Sequence, residues 1–455
     1  MIGTSNGQQG IGQQGTGQRG TGQQGTTGRR LVVFGDATSA GGYADVLRRV
    51  AGLTDVASTA DFRDRVVDPS QTRRAQATVF ADLGIAVVAA DDDQASALAA
   101  QCSSDGDILA VEPERVHRIL SAPGVPPTPD RSEYLRGYAD GVADLVARLG
   151  AGAASVRAAA PVADTDAFTW GLIATGVSTT TATGAGVRVA VLDTGLDLTH
   201  PDFAGREITS AAFVDGVTTA QDGHGHGTHC VGTSCGPKAP TAGRRYGIAY
   251  EAAVFVGKVL GDDGSGADEG ILAGLNWALT NRVDIVSMSL GADVRAVSTA
   301  YETVGRRALA AGTLIVAAAG NNANRPADPG FVGVPANSPS IAAVAATDQR
   351  SAIAPFSARS TDVEGGNVDF AGPGVDVYSS WPVFPPGSSE GDGASRYTTI
   401  SGTSMATPHV AGIAALWAQT TGRRGRDLWT TLTQQARRLD VPASDVGAGL
   451  VQAPR

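Results

Sequence analysis

VRVAVLDTG, residues 187–195, is the stretch on which the fold turns. Val187–Leu192 reads as a continuous apolar strand rather than an alternating one. A carboxylate, Asp193, stands at its carboxyl end, two residues ahead of Gly195. A strand without a polar face is buried on both sides, as in a parallel sheet covered by helices. Working outward, Ala253–Val259, Asp284–Met288 and Thr313–Ala318 repeat the pattern, and helical periodicity runs at 268–281, 297–311 and 404–420. Strands alternating with helices predict an α/β domain of three layers with a mostly parallel sheet over 166–455. In such sheets active sites form at the carboxyl ends of the strands.

Upstream the composition changes twice. Residues 1–30 are a Gly/Gln/Thr repeat with almost nothing apolar to bury, so a disordered tail is expected. Its Gly15-Thr16-Gly17-Gln18-Arg19-Gly20 fits a dinucleotide-binding pattern, but no strand precedes it and no helix follows, so that match is rejected. Residues 31–120 read as a small unit of their own. LVVF (31–34) is a strand, Tyr43–Leu53 a helix, Gln76–Phe80 and Ile85–Ala89 two strands, and Asp91–Ala100 a helix with an acidic first turn. Ile108–Val111 is a last strand, ended by Glu112-Pro113. That β-α-β-β-α-β order is the ferredoxin-like α+β arrangement. Residues 121–165 read as a linker. It opens on Pro123, Pro126, Pro127 and Pro129, and carries an extra helix in which Tyr134, Tyr138, Val142, Leu145 and Leu149 recur at helical spacing.

Composition excludes several function classes. At 455 residues, with 42% hydrophobic and 18% charged, the chain has the make-up of a globular protein of two or three domains. A net charge of −10 argues against a nucleic-acid partner. No apolar run reaches the roughly eighteen residues of a membrane span, and the N-terminus lacks the apolar core of a signal peptide, so the chain as written reads as cytoplasmic. Three cysteines make no disulfide framework. Cys230 and Cys235 are close enough in sequence to pair, but three unpaired thiols is the favoured reading.

Chemistry concentrates in three segments. The first is the strand ending at Asp193. The second, Asp222-Gly223-His224-Gly225-His226-Gly227-Thr228-His229-Cys230, holds three of the six histidines. The HEXXH spacing of a zinc site is absent there, which disfavours a metal. The third is Ser401-Gly402-Thr403-Ser404-Met405-Ala406-Thr407-Pro408-His409-Val410-Ala411-Gly412, which puts Ser404 at the start of an apolar helix. Ser404 either caps that helix or acts as a nucleophile, and a nucleophile needs a base and an orienting acid. The first two segments offer both. Position 406 is Ala, so this is not the GxSxG elbow of the α/β-hydrolases.

The order Asp…His…Ser is that of the subtilisins. LDTG, HGHGTHCVGT, AAAGN (317–321) and SGTSMATPHVAG each resemble a signature of the subtilisin-like serine proteases, and Cys230 after HGTH leans towards the proteinase K branch. The resemblance implies a subtilisin-like fold and a serine endopeptidase. In it, Asp193 orients the imidazole, His226 is the general base, Ser404 the nucleophile and Asn321 an oxyanion donor. It also implies that Gly264, Ser265, Gly266, Ser289, Leu290 and Gly291 form the edges of a substrate cleft. Gly333 would lie near the floor of a P1 pocket that favours apolar residues. Pro339, Ile341 and Asp369 match positions at which proteinase K-like members hold a structural calcium; no cofactor is needed for the chemistry. Residues 31–120 have the layout of a subtilisin propeptide, a folding helper and inhibitor, so the implied partners are peptide or protein substrates and the chain's own N-terminal unit, around a monomer. Members of the family are commonly secreted, which sits against the cytoplasmic reading.

Two other functions are compatible with this fold. A peptide macrocyclase would keep the triad but add elements that shield the acyl-enzyme from water, and no long insertion is seen. A non-catalytic scaffold would have lost a triad member, and all three are present.

Overall fold

The computed structural model describes residues 25–36, 38–62, 74–104, 106–120, 160–361, 365–384 and 395–455. The tail over 1–24, the proline-rich break and the helix expected over 131–149 lie outside the described residues.

The N-terminal unit comprises β1 (Thr26–Phe34), α1 (Tyr43–Ala51), β2 (Val56–Ser58), β3 (Ala77–Phe80), β4 (Ile85–Val88), α2 (Asp92–Ala99) and β5 (Ile108–Ile119). The strands run β5-β1-β4-β3-β2, antiparallel except at the short β2–β3 edge. The acidic start of α2 is a capping box, with Asp91 and Gln94 each bonding the other's backbone N–H. LVVF is apolar throughout because it is buried on both faces. Val32 and Phe34 pack with Tyr43, Val46 and Leu47 of α1, whereas Leu31 and Val33 join the core of the larger domain.

Two boundaries differ from the sequence expectation. β1 begins at Thr26, inside the stretch read as tail; Arg29 is anchored there by an ion pair of 2.7 Å to Glu269. β5 does not stop at Glu112-Pro113 but continues to Ile119. Pro113 reads as a strand breaker, and ERVHR is too polar to read as a strand. This segment is extended because neighbouring strands grip it.

The larger domain follows with β6 (Arg188–Asp193), β7 (Ile208–Ala212), α3 (His226–Cys235), β8 (Ala253–Lys258), β9 (Ser265–Ala267), α4 (Asp268–Thr280), β10 (Ile285–Met288), β11 (Leu290–Gly291), α5 (Thr299–Ala310), β12 (Leu314–Ala318), β13 (Ala342–Thr347), β14 (Phe370–Pro373) and α6 (Thr403–Thr421). Seven of the strands form one sheet in the order β14-β13-β12-β10-β6-β8-β7, parallel at every pairing. Successive side chains of each strand point to opposite faces, and both faces are covered. Val189 and Val191 pack with Val231 of α3 and with Met405 and Val410 of α6. Ala190 and Leu192 pack with Ile271 and Leu275 of α4 and with Tyr301 and Val304 of α5. The result is a three-layer α/β fold in which helix, sheet and helix share two continuous cores.

The order places the site. After β6 the chain builds outward to β8 and β7, then crosses back to β10 and continues to β12, β13 and β14. The reversal opens a crevice at the carboxyl ends of the central strands. Asp193 ends β6, Ser289 follows β10 and Asn321 lies just beyond β12. Among the described residues no helix is long and apolar enough to cross a membrane. Cys102, Cys230 and Cys235 are all free, the last two buried.

Candidate active site

Asp193 and His226 meet in the crevice, Oδ1 to Nδ1 at 2.7 Å, both about 1% exposed. The Thr194 N–H donates to the same Asp193 oxygen at 2.7 Å. His226 opens α3, and the loop before it is organised by Asp222, a buried carboxylate to which the sequence reading gave no role. Its Oδ1 accepts from the N–H groups of His224 and Gly225 and from Thr194 Oγ1; its Oδ2 accepts from the N–H and Oγ1 of Thr228, all within 2.7–2.9 Å. Thr194 Oγ1 in turn accepts from the Gly227 N–H at 2.8 Å. One carboxylate thus ties the turn after Asp193 to the helix that carries His226. Burial disfavours its charge, but these five donors outweigh burial and hold Asp222 below the usual carboxylate range. The doublet of a threonine after the strand aspartate and an aspartate before HGHG was the available signal.

His226 and His229 of the second motif and His409 of the third are separated by their surroundings. Burial opposes a charge on His226, yet the Asp193 carboxylate outweighs it and holds the imidazole well above its usual range. Burial pushes His229 down to about 3, with its Nε2 on the Val377 carbonyl at 2.9 Å, and His409 down to about 4. Those two are neutral packing residues. Cys230 sits one turn behind His226, Sγ to Nδ1 at 3.9 Å, and burial raises its thiol. Asp193, His226 and Cys230 present ligand atoms within 4.8 Å of one another; the hydrogen bond between the first two accounts for that closeness.

Ser404 is the second residue of α6 and fully buried. Its Oγ donates towards two carbonyls, Leu120 O at 2.9 Å and Ser289 O at 3.0 Å. The buried His226 Nε2 has no hydrogen-bond partner among the described residues. Asn321 is aimed by its own acceptor: Oδ1 takes the Thr403 N–H at 3.0 Å and Thr403 Oγ1 at 2.9 Å. The Asn321 Nδ2 then donates to Leu120 O. Gly402 leaves the room for this convergence. A Cβ at that position would stand 2.8 Å from Leu120 O and 3.3 Å from Asn321 Nδ2.

Leu120 reaches this point because β5 lies in the cleft as a middle strand. On one side Val116, His117 and Arg118 pair antiparallel with Ala267, Gly266 and Ser265. On the other, Arg118 and Ile119 pair with Gly291 and Leu290. The Ile119 N–H closes the run on Gly264 O at 2.9 Å. The glycines keep both edges open to backbone: a Cβ on Gly291 would stand 3.1 Å from Leu120 Cδ1. A Cβ on Gly333 would meet the Ala292 carbonyl at 2.4 Å. Carboxylates of β5 also serve the helices beneath. Glu114 accepts the Glu269 N–H at 3.0 Å, and Glu112 accepts the Thr299 N–H and Ser298 Oγ at 2.5 and 2.6 Å. Each neutralises unpaired donors at a helix N-terminus.

Comparison with known proteins agrees with this geometry. A model of the subtilase family matches residues 184–449. M-protease of Shouchella clausii (strain KSM-K16) is 40% identical over 237 residues, 52% of this chain and 55% of its own length. Subtilisin DY of Bacillus licheniformis is 37% identical over 233 residues, 51% and 77% of the two chains. Thermitase of Thermoactinomyces vulgaris is 34% identical over 272 residues, 60% and 88%. The match thus spans about half the length of M-protease and more than three quarters of the other two. The chain belongs to the subtilase family, as a subtilisin-like serine endopeptidase.

Proposed function

We propose that the chain hydrolyses peptide bonds through an acyl-enzyme on Ser404, and that residues 31–120 are its propeptide, cut away by the enzyme itself between Leu120 and Ser121. The observation that carries this reading is the position of Leu120. Its carbonyl oxygen rests on both the nucleophile and the oxyanion donor, at the end of a strand held as a substrate would be. The strand order β5-β1-β4-β3, with α1 and α2 on one face, supports a ferredoxin-like propeptide.

In this reading Ser404 Oγ turns from the carbonyls to His226 Nε2, gives up its proton and adds to the carbonyl carbon. Asp193 fixes the imidazole tautomer and stabilises the imidazolium that forms. Asn321 Nδ2 holds the oxyanion. His226 then protonates the leaving amine, and water releases the acyl group by the same steps in reverse. The P1 side chain lies against Gly291, beside Leu290 and the Ala318-Ala319 strand end, with Gly333 at the pocket floor. Glycine, alanine and leucine walls suit apolar P1 residues. Cys230 after HGTH supports placement in the proteinase K branch.

A structural calcium held by the carbonyls of Pro339 and Ile341 and the carboxylate of Asp369 belongs to the same reading. Hard oxygen donors suit that ion. Asp369 spends one oxygen on the Ala343 N–H at 2.9 Å, and burial pushes its carboxyl up to about 7. A divalent cation would keep it ionised.

The test is to incubate the purified full chain, sequence the new N-terminus and follow a short peptide by mass spectrometry. A chain beginning Ser121-Ala122-Pro123 with hydrolysed peptide is expected, and Ser404→Ala should stay whole. Cyclised or amine-linked products would replace hydrolysis by acyl transfer. An intact wild-type chain, or processing in the Ser404→Ala protein, would overturn self-cleavage.

A further inference from the structure

Four residues upstream of the proposed cut, counting back from Leu120, lies His117. Its ring is completely buried, as is the side chain it meets, Asp268, at 2.6 Å from Nε2 to Oδ1. Tyr301 completes the pocket. Its hydroxyl donates to the same Asp268 oxygen at 2.7 Å, and its ring stands edge-on to the imidazole, centroids 5.6 Å apart and 72° between planes. The second Asp268 oxygen accepts the Arg115 N–H at 2.6 Å. One carboxylate therefore reads a side chain and, two residues further back, the backbone of the strand in the cleft.

The two groups belong to the larger domain, not to the strand they read. Asp268 is the first residue of α4 and Tyr301 the third of α5. They remain when the strand leaves. Any substrate occupying the cleft in the same way puts its fourth residue before the cut against them. An aliphatic side chain there would bury a carboxylate while depriving it of a partner, which costs more than the lost contact alone. An acidic one would add like charge. A side chain with an N–H and a positive charge satisfies both.

We propose that Asp268 and Tyr301 form a specificity subsite for a cationic N–H donor (imidazole, guanidinium or ammonium) four residues before the scissile bond. This rests on the reading of β5 as a bound substrate strand. The neighbouring charges agree with it: burial would raise Asp268, but the charge and hydrogen bond of His117, the Arg115 amide and the Tyr301 hydroxyl bring its carboxyl below the ordinary range.

The test uses the enzyme that the full chain releases and a fluorogenic panel X-Arg-Ile-Leu, in which X is His, Arg, Lys, Leu, Phe or Glu. For the wild type, kcat/KM with X as His, Arg or Lys should exceed that with Leu by about tenfold or more, and Glu should be the poorest. In Asp268→Asn the ratio of His to Leu should fall towards one, and in Tyr301→Phe it should shrink partway. The ratio is internal to each protein, so a loss of folded material cancels from it. Equal rates for all X, a preference for Leu or Phe, or a ratio unmoved by Asp268→Asn would overturn the subsite and leave the peptidase reading standing. If no peptide of the panel is cleaved, the substrate-strand reading falls and the subsite with it.

Discussion

The Leu120 carbonyl oxygen lies 2.9 Å from Ser404 Oγ, across a sequence separation that no local motif spans. On the proposed reading, a nucleophile covered by a carbonyl of its own chain has its first substrate in place. Holding the reacting groups together in one molecule makes the first cut far easier than cleavage of a second molecule. On the proposed reading the same contact would make the strand an inhibitor once it is cut, because the product carbonyl would still fill the site.

From this, Leu120→Asp should slow formation of the Ser121 N-terminus by an order of magnitude or more, with the protein still folded. A carboxylate would be placed against Gly291, where a Cβ would already stand 3.1 Å from Leu120 Cδ1, in a pocket proposed to take apolar side chains. Timed gels of the wild type and variant decide the point. Equal processing rates would mean that Leu120 does not occupy the P1 pocket.

A released 25–120 fragment should inhibit the mature enzyme in trans. Nanomolar affinity, about −12 kcal/mol, lies within reach of an interface of ordinary protease–inhibitor size. Titration against a fluorogenic peptide measures it, with the fragment first shown to be folded and uncleaved. Undiminished activity at micromolar fragment would make the N-terminal unit an accessory module instead.

Gly402→Ala should lower kcat by about 10²–10³, the range seen when one oxyanion donor is lost. The backbone at 402 is extended, so alanine adopts it without strain; the new methyl group sits where substrate oxygen and Asn321 Nδ2 converge. Melting temperature should change little while turnover collapses. A rate near that of the wild type would show that the oxyanion is held elsewhere.

How much of this was legible in the sequence depends on what held each piece together. The buried strands of the main sheet announced themselves because both faces are apolar, and their carboxyl ends were the right place to look. Asp193, His226 and Ser404 stand in motifs of small residues that let backbone crowd around them, and the structure pairs the first two. β5 beyond Val111 follows from the propeptide resemblance, which lays the segment after Val111 in the cleft as a strand, and not from the residue pattern, for a physical reason: Glu112, Arg115, His117 and Arg118 have no core to bury in the N-terminal unit. They are ordered by carboxylates, helix N-termini and strand edges that lie far away in the sequence, such as Asp268 for His117 and Ser265 for Arg118. Asp222 is not legible as a site residue, since a carboxylate in a glycine-rich loop has the look of an ordinary turn residue until its five donors are seen in space.

The pH profile should follow His226. An imidazolium has no lone pair to accept the Ser404 proton, so activity is present above the His226 pKa and lost as pH falls through it. Asp193 holds that pKa above the usual imidazole range against the opposing effect of burial. The acid limb of kcat/KM should therefore have its midpoint above about 6.5. In Asp193→Asn the limb should move to lower pH while kcat falls by about 10⁴. A wild-type midpoint well below 6 would contradict the charge pairing. If Asp193→Asn kept both the rate and the profile, Asp193 would not be the orienting acid.

Calcium dependence should follow Asp369 in the opposite sense. Its carboxyl, raised to about 7 by burial, is easier to protonate in the folded chain than in the unfolded one. Such a group favours the fold at low pH; that contribution is lost progressively as pH rises from the usual carboxylate value to about 7, and above this the buried charge weighs against the fold in full. A cation bound to Asp369 and to the carbonyls of Pro339 and Ile341 offsets that charge, so stabilisation by calcium should grow over the same interval. With the Ser404→Ala chain, which cannot digest itself, calcium at about a hundred times its Kd should raise the melting temperature by roughly 5–10 °C at pH 8 relative to a chelator. The shift should be smaller at pH 5, and Asp369→Asn should lose most of it at both. A melting temperature indifferent to calcium at pH 8 would remove the ion from this site. A shift that survives Asp369→Asn unchanged would place it elsewhere in the domain.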